Sequence, residues 1–370
     1  MNTYQFPSSS HAPRPITLHD GVDITPFVPG QLTTTGGGPR ASRTFFAIGV
    51  EPRPMEWAMR DAELHPRKHA YVLPAGLRAV AAALENPGCV VSGLSALAIY
   101  GLSFFSKGCD ATLIGEVEKT QFPAMKSALV RRRKLKSTWT VRWQDRAITA
   151  SRPLDALIEA LQDLRDGVHA WEVPSWVADD LAFRAISLID ASSNHFGFTP
   201  TMIKEAAKGR LNSRWIRKIL QLSSGKADSP KETEMRIISR AILEGPESFP
   251  LKLVRDDMRD PFAENIRWAA AQLEDLRLKL SEQVPIYEAT WSDWPITIFD
   301  LALTALKIGL MYDGEHHLQR SQRDKDASIS LKCTLQGWLV LRFSAGTLET
   351  LPGALVAAVR MRVNTLDPAA

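Results

Sequence analysis

Three strand-like runs stand one after another at 285–291 (PIYEATW), 295–304 (PITIFDLALT) and 307–314 (KIGLMYDG), each with β-branched or aromatic content. Successive strands tend to pair, so this run commits the C-terminal third of the chain to a sheet. Helical patterns precede it at 231–243 and at 262–281, the second read as an insertion. After it come a helix at 321–337 closed by Gly337, a buried strand at 338–343 (WLVLRF) and a last helix at 347–363. Helix, three strands, helix, strand, helix predicts a mixed α/β domain, one sheet flanked by helices. The segment 223–230 (SSGKADSP) is the linker that opens it.

The rest of the chain reads as α+β. Residues 1–45, rich in Pro, Ser, Thr and Gly, are expected to form a flexible arm. Order is expected to begin near 44–50. A helix, a basic turn and a short strand at Tyr71, Val72 and Leu73 follow, stopped by Pro74. Helices are predicted at 77–85 and 92–102, the second with Ser92 as N-cap. Strand-like alternation fills 110–150. Leu154, Leu157, Ile158 and Leu161 then line one face of a helix with Pro153 in its first turn. Two more helical patterns occupy 179–193 and 200–224.

The chain has 370 residues, enough for two or three domains, and 45% hydrophobic residues, a globular composition. Its three cysteines, Cys89, Cys109 and Cys333, are too far apart for a zinc knuckle or a disulfide framework. With no targeting pattern and no apolar run of roughly 18 residues, the expectation is a cytoplasmic protein with no membrane partner. A net charge of +4 permits nucleic-acid binding without requiring it.

Metal-assisted phosphodiester hydrolysis needs carboxylates converging on a hard dication that polarises phosphate and activates water. Asp300 lies inside an apolar strand, where an ionised carboxylate is costly unless paired or metal-bound. Asp313 ends the next strand, and a hairpin near Ala305 would bring the two together as ligands of Mg²⁺ or Mn²⁺. Glu232 on the preceding helix is a third acid, and His316 and His317 are candidate proton carriers. Each also has an ordinary reading: a structural strand acid, an Asp-Gly turn, an i,i+4 pair of Glu232 with Arg236, solvated loop histidines.

The segments SPKETEMR, ITIFDLAL, YDGEHH, RDKD and GWLVLRF occur, in this order, as in one known group. The chain over about 225–363 resembles the domain of unknown function related to very-short-patch repair endonucleases, in the PD-(D/E)XK superfamily. The resemblance implies a restriction-endonuclease-like sheet flanked by helices. It makes Glu232 the helix acid, Asp300 the central metal-binding aspartate, and Asp313, His316 and His317 the aspartate and histidines of its YDG-type turn. Arg342 takes the place of the arginine usual on the last core strand, a DNA contact. Met311 stands where the family commonly has glutamate, and thioether sulfur is not a ligand for a hard ion. Ile329 and Ser330 stand where that family's helix is usually charged.

The stretch 62–102 (AELHPRKHAY through SALAIYGL) more loosely resembles the AbiEi-like antitoxins of type IV toxin–antitoxin systems. That implies a degenerate winged helix over 46–165 with KHAYVLP as wing strand and Arg67 and Lys68 as DNA contacts, followed by a helical connector at 166–225 and the nuclease-like domain at 226–370. Other basic clusters are Arg131, Arg132 and Arg133 on a strand, and Arg214, Arg217 and Lys218 on a helix; each is also compatible with a solvated face. Two functions remain open: a metal-dependent DNA endonuclease serving phage defence or repair, and a non-catalytic DNA-binding regulator of antitoxin type.

Overall fold

The computed structural model describes residues 15–115, 128–131, 137–256, 260–287, 295–314 and 320–366. The chain is an α/β protein that divides into two compact units. One holds residues 15–173 and 184–225; the other holds 174–183 and the chain from Lys226 onward.

In the first unit, β1 (Gln31–Thr33) and β2 (Phe46–Ile48) form a small antiparallel pair, and α1 (Met55–Leu64) and α2 (Ala75–Glu85) follow. The main sheet is built from β3 (Val90–Val91), β4 (Ala111–Ile114), β5 (Ala128–Arg131), β6 (Thr138–Trp143) and β7 (Arg146–Ser151), in the order β5-β4-β3-β7-β6. Packed with it are α3 (Gly93–Ile99), α4 (Pro153–Arg165) and most of α5 (Asp180–Phe196), then α6 (Pro200–Ala206) and α7 (Ser213–Leu222). Leu157, Ile158 and Leu161 of α4 are buried, and Pro153 occupies its first turn.

Three details depart from the sequence reading. From residue 15 the expected arm is built into the unit. Gly21 N–H donates to Thr140 O and Ile24 N–H to Arg142 O, each at 2.8 Å, and Ile24 and Val28 are buried. A few apolar residues and the free edge of β6 outweigh the Pro/Gly-rich composition. Second, residues 71–73 are not a strand; Val72 O instead accepts from Arg53 N–H at 2.9 Å, so the expected wing lacks a ladder. Third, Ser92 precedes α3, yet its hydroxyl does not cap the helix and donates to Glu159 Oε2 at 2.8 Å. The residues read as a separate connector belong largely to this unit, with Ile186, Ile189, Ile203, Ile216 and Ile219 buried.

The second unit begins its main run with α8 (Pro230–Glu244) and α9 (Pro261–Leu273). Then come β8 (Ser281–Tyr287), β9 (Pro295–Leu303), β10 (Ile308–Tyr312), α10 (Arg320–Leu335), β11 (Leu339–Phe343) and α11 (Leu351–Leu366). The sheet order is β11-β10-β9-β8. The first two pairings are antiparallel and β10–β11 is parallel, from Ile308↔Leu339 to Tyr312↔Phe343. A parallel pair needs a crossover, which α10 supplies. Gly309 is required by close approach: a Cβ there would lie 2.6 Å from the ring of Phe299. α8 opens with the Ser-x-x-Glu pattern of a capping box, in which Ser229 Oγ accepts from Glu232 N–H at 3.3 Å.

Candidate active site

The site forms where β9, β10, β11 and the start of α8 meet. The β9–β10 pairing runs from Ile308↔Leu303 to Leu310↔Leu301. Beyond it, Tyr312 N–H donates to Asp300 Oδ2 at 2.7 Å, so a side-chain oxygen takes over from the main-chain ladder. This bond fixes one carboxylate oxygen of Asp300.

Glu232, at the start of α8, lies within electrostatic reach of Asp300. Its carboxylate is held by the turn before α8: Ser229 Oγ donates to Oε1 at 3.0 Å and Asp228 N–H to Oε2 at 2.9 Å. Both acids are recessed yet keep partial solvent access. Burial pushes the Glu232 carboxyl well above the usual carboxylate range, and the negative charges of Asp300 and Asp228 push it further. Asp300 is raised for the same reasons: burial first, then the charges of Asp228 and Asp313, against the opposing Tyr312 N–H bond and the Arg342 charge. Two neighbouring acids that resist ionising together share a proton or need a cation.

Asp313 is paired with Arg342. Arg342 Nε and Nη2 donate to its Oδ2 and Oδ1 at 2.9 and 2.7 Å. Its N–H donates to Phe343 O at 2.7 Å, locking the ends of β10 and β11 together. Both oxygens of the expected second metal ligand are therefore engaged, and the arginine expected to meet DNA is the group engaging them. Met311 packs against the apolar cluster of Ile286, Phe299, Ala302 and Cys333, so the position where the resembled family commonly has glutamate is hydrocarbon here. Asp228, which the sequence reading left in a linker, contributes charge to both Glu232 and Asp300. The Ser229/Glu232 capping spacing was the local signal that would have placed it at this helix start.

The donor set fits a hard dication in part. Glu232 and Asp300 offer oxygen ligands, and neither makes an ion pair among the described residues. Among the described residues, no group of three or more His, Cys, Asp or Glu side chains is placed to hold a metal ion. His316 and His317 lie outside the described residues, as do Arg132, Arg133 and the side chain of Arg131.

The remaining expected DNA contacts separate sharply. Arg67 Nη2 donates to Asp110 Oδ1 at 2.6 Å, beside bonds to the same oxygen from His65 Nε2 and the Tyr71 hydroxyl. Lys68, at φ +52°, turns its ammonium to Glu63 O. Arg214 and Arg217 are exposed on α7, with Lys218 half-exposed beside them.

These features define an α/β protein with a recessed carboxylate pair at one end of a four-stranded mixed sheet. Comparison with protein-family models, with curated proteins and with solved structures finds no match. Among the described residues, no helix is long and apolar enough to cross a membrane.

Proposed function

We propose that the unit from Lys226 onward is a metal-dependent DNA endonuclease, cleaving or nicking phosphodiester bonds in defence or repair. The observation that carries this reading is the Glu232–Asp300 pair: two recessed acids, both raised by burial and by neighbouring negative charge, neither of them in an ion pair among the described residues. The resemblance in SPKETEMR, ITIFDLAL and YDGEHH supports it, and so does an element order of helix, three strands, helix and strand with a parallel last pair. Asp300 and Glu232 would hold Mg²⁺ or Mn²⁺, which supplies charge for the phosphate and lowers the pKa of a bound water. Tyr312 N–H orients Asp300, and Ser229 with Asp228 N–H orients Glu232. Arg342 holds Asp313 and so keeps the two strand ends in register. His316 or His317 is assigned the proton transfer to the leaving oxygen. A cytoplasmic location goes with this reading, since all three cysteines are buried free thiols.

The test is metal-dependent nicking of plasmid DNA by the full chain with Mg²⁺ or Mn²⁺, with Asp300→Ala as control. Nicking lost in the variant supports the enzyme; nicking equal in both, or absent from the wild-type chain, overturns it.

A second reading is favoured by one specific arrangement. With Asp313 closed on Arg342 and Met311 in the apolar cluster, the site holds fewer free acids than the resembled family. A non-catalytic DNA-binding regulator of the antitoxin type then follows, and salt-sensitive DNA binding without cleavage is its signature.

A further inference from the structure

We infer that the exposed face of α7 is a contact surface for the phosphate backbone of duplex nucleic acid. This deepens the reading above, resting on its choice of DNA as partner, and assigns the binding to a helix outside the carboxylate site.

Between Glu205 and Gly225 the chain carries Lys208, Arg210, Arg214, Arg217 and Lys218 and no acid. The fold sorts these five cations into two groups. Lys208 Nζ pairs with Glu205 Oε2 at 2.5 Å, and Arg210 binds Asp155 Oδ1 at 2.8 Å and Glu159 Oε1 at 3.4 Å. Arg214, Arg217 and Lys218 make no ion pair among the described residues. They stand at i, i+3 and i+4 of one helix, which places them on one face, with exposed Gln221 continuing the row.

The helix is built to present that face rigidly. Asn212 Oδ1 caps it, accepting from Arg214 N–H at 3.0 Å and Trp215 N–H at 2.9 Å. Ile216, Ile219 and Leu222 are buried on the opposite side. Arg165 adds a further exposed cation, its guanidinium 5.2 Å from the centre of the Trp215 ring.

The chemistry of this face selects its partner. A helix that lies on a lipid surface needs an exposed apolar stripe beside its cations, and the stripe of α7 is buried. A protein interface needs a desolvated apolar or aromatic centre, and the row of Arg214, Arg217, Lys218 and Gln221 has none. What remains is a repeating, fully solvated anion. Arginines and lysines spaced 5–6 Å apart suit successive phosphates, which bind by releasing counterions and leave a steep salt dependence.

The experiment uses the full chain and a short fluorescent DNA duplex in EDTA, so that binding is read without cleavage. Anisotropy titrations are run over a salt series for the wild-type chain and the combined Arg214→Gln, Arg217→Gln, Lys218→Gln variant. The triple variant is expected to bind about tenfold or more weakly, with a log–log salt slope shallower by up to about 2.7, roughly 0.9 per lost phosphate contact. A Lys replacement of both arginines keeps the charge and is expected to retain most of the slope, which separates contact from folding. An unchanged slope in the triple variant overturns the proposal, as does a wild-type chain that does not bind duplex. So does a preference for anionic lipid vesicles or for an acidic polypeptide over DNA that the triple variant abolishes. Binding in EDTA is read apart from cleavage, so a failure of the carboxylate site and a failure of this surface are distinguishable.

Discussion

The guanidinium of Arg342 closes on both oxygens of Asp313, Nε to Oδ2 at 2.9 Å and Nη2 to Oδ1 at 2.7 Å. It is a planar two-point contact between half-buried side chains, which only arginine can make. It crosses from β11 to the residue that follows β10.

Arg342→Ala is expected to lower stability by about 1–2 kcal/mol, because it leaves a partly buried carboxylate without its partner. Arg342→Lys recovers only part of this, since a lysine offers a single point of contact. Denaturant unfolding followed by circular dichroism measures both; equal stability in all three proteins would contradict the role given to this pair.

Glu232 and Asp300 make a prediction in pH. Their carboxyls are raised in the folded chain, to about 8 and about 7, so between about pH 4 and those values the folded state binds more protons than the unfolded state. Stability therefore falls as pH rises through that window. Asp300→Asn removes the repulsion and is expected to flatten the profile and to raise stability near pH 8 by about 1–3 kcal/mol. Adding Mg²⁺ to the wild-type chain is expected to raise its melting temperature at pH 8, and not that of Asp300→Asn. A profile identical in both proteins would remove the pair from this account.

Gly309 is held to glycine by the Phe299 ring. Gly309→Ala puts a methyl group 2.6 Å from that ring and is expected to cost about 1–3 kcal/mol through overpacking. Adding Phe299→Leu is expected to cost less in the alanine background than in the wild type, a coupling that a double-mutant cycle reads directly.

Two arginines of neighbouring sequence are expected to behave in opposite ways. Arg210 lies between the carboxylates of Asp155 and Glu159, with side-chain exposures of 12%, 7% and 3%. Burial already raises the Glu159 carboxyl, against the Ser92 hydrogen bond and the Arg210 charge. Arg210→Ala is expected to cost about 3–5 kcal/mol, with partial recovery at mildly acidic pH where the stranded Glu159 protonates. Arg214→Ala, at an exposed position without an ion pair, is expected to change stability by no more than about 0.5 kcal/mol. Thermal melts of the two variants side by side test the contrast.

Much of this protein is written in local pattern. The three strand-like runs, the strand after them, the helix at Pro153 and the helix opened by Ser229 all follow from periodicity, caps and breakers that act over a few residues. So does the presence of an acid inside β9. Which groups meet is a different matter, because it depends on chain segments far apart in sequence. The parallel β10–β11 register brings Arg342 to Asp313, and the turn before α8 brings Glu232, with Asp228, to Asp300. An edge strand orders a segment whose composition reads as an arm, and two buried acids of α4 take up Arg210 while leaving Arg214 and Arg217 to solvent. Local pattern is set by backbone geometry and side-chain type, whereas pairing is set by packing and charge across the finished fold.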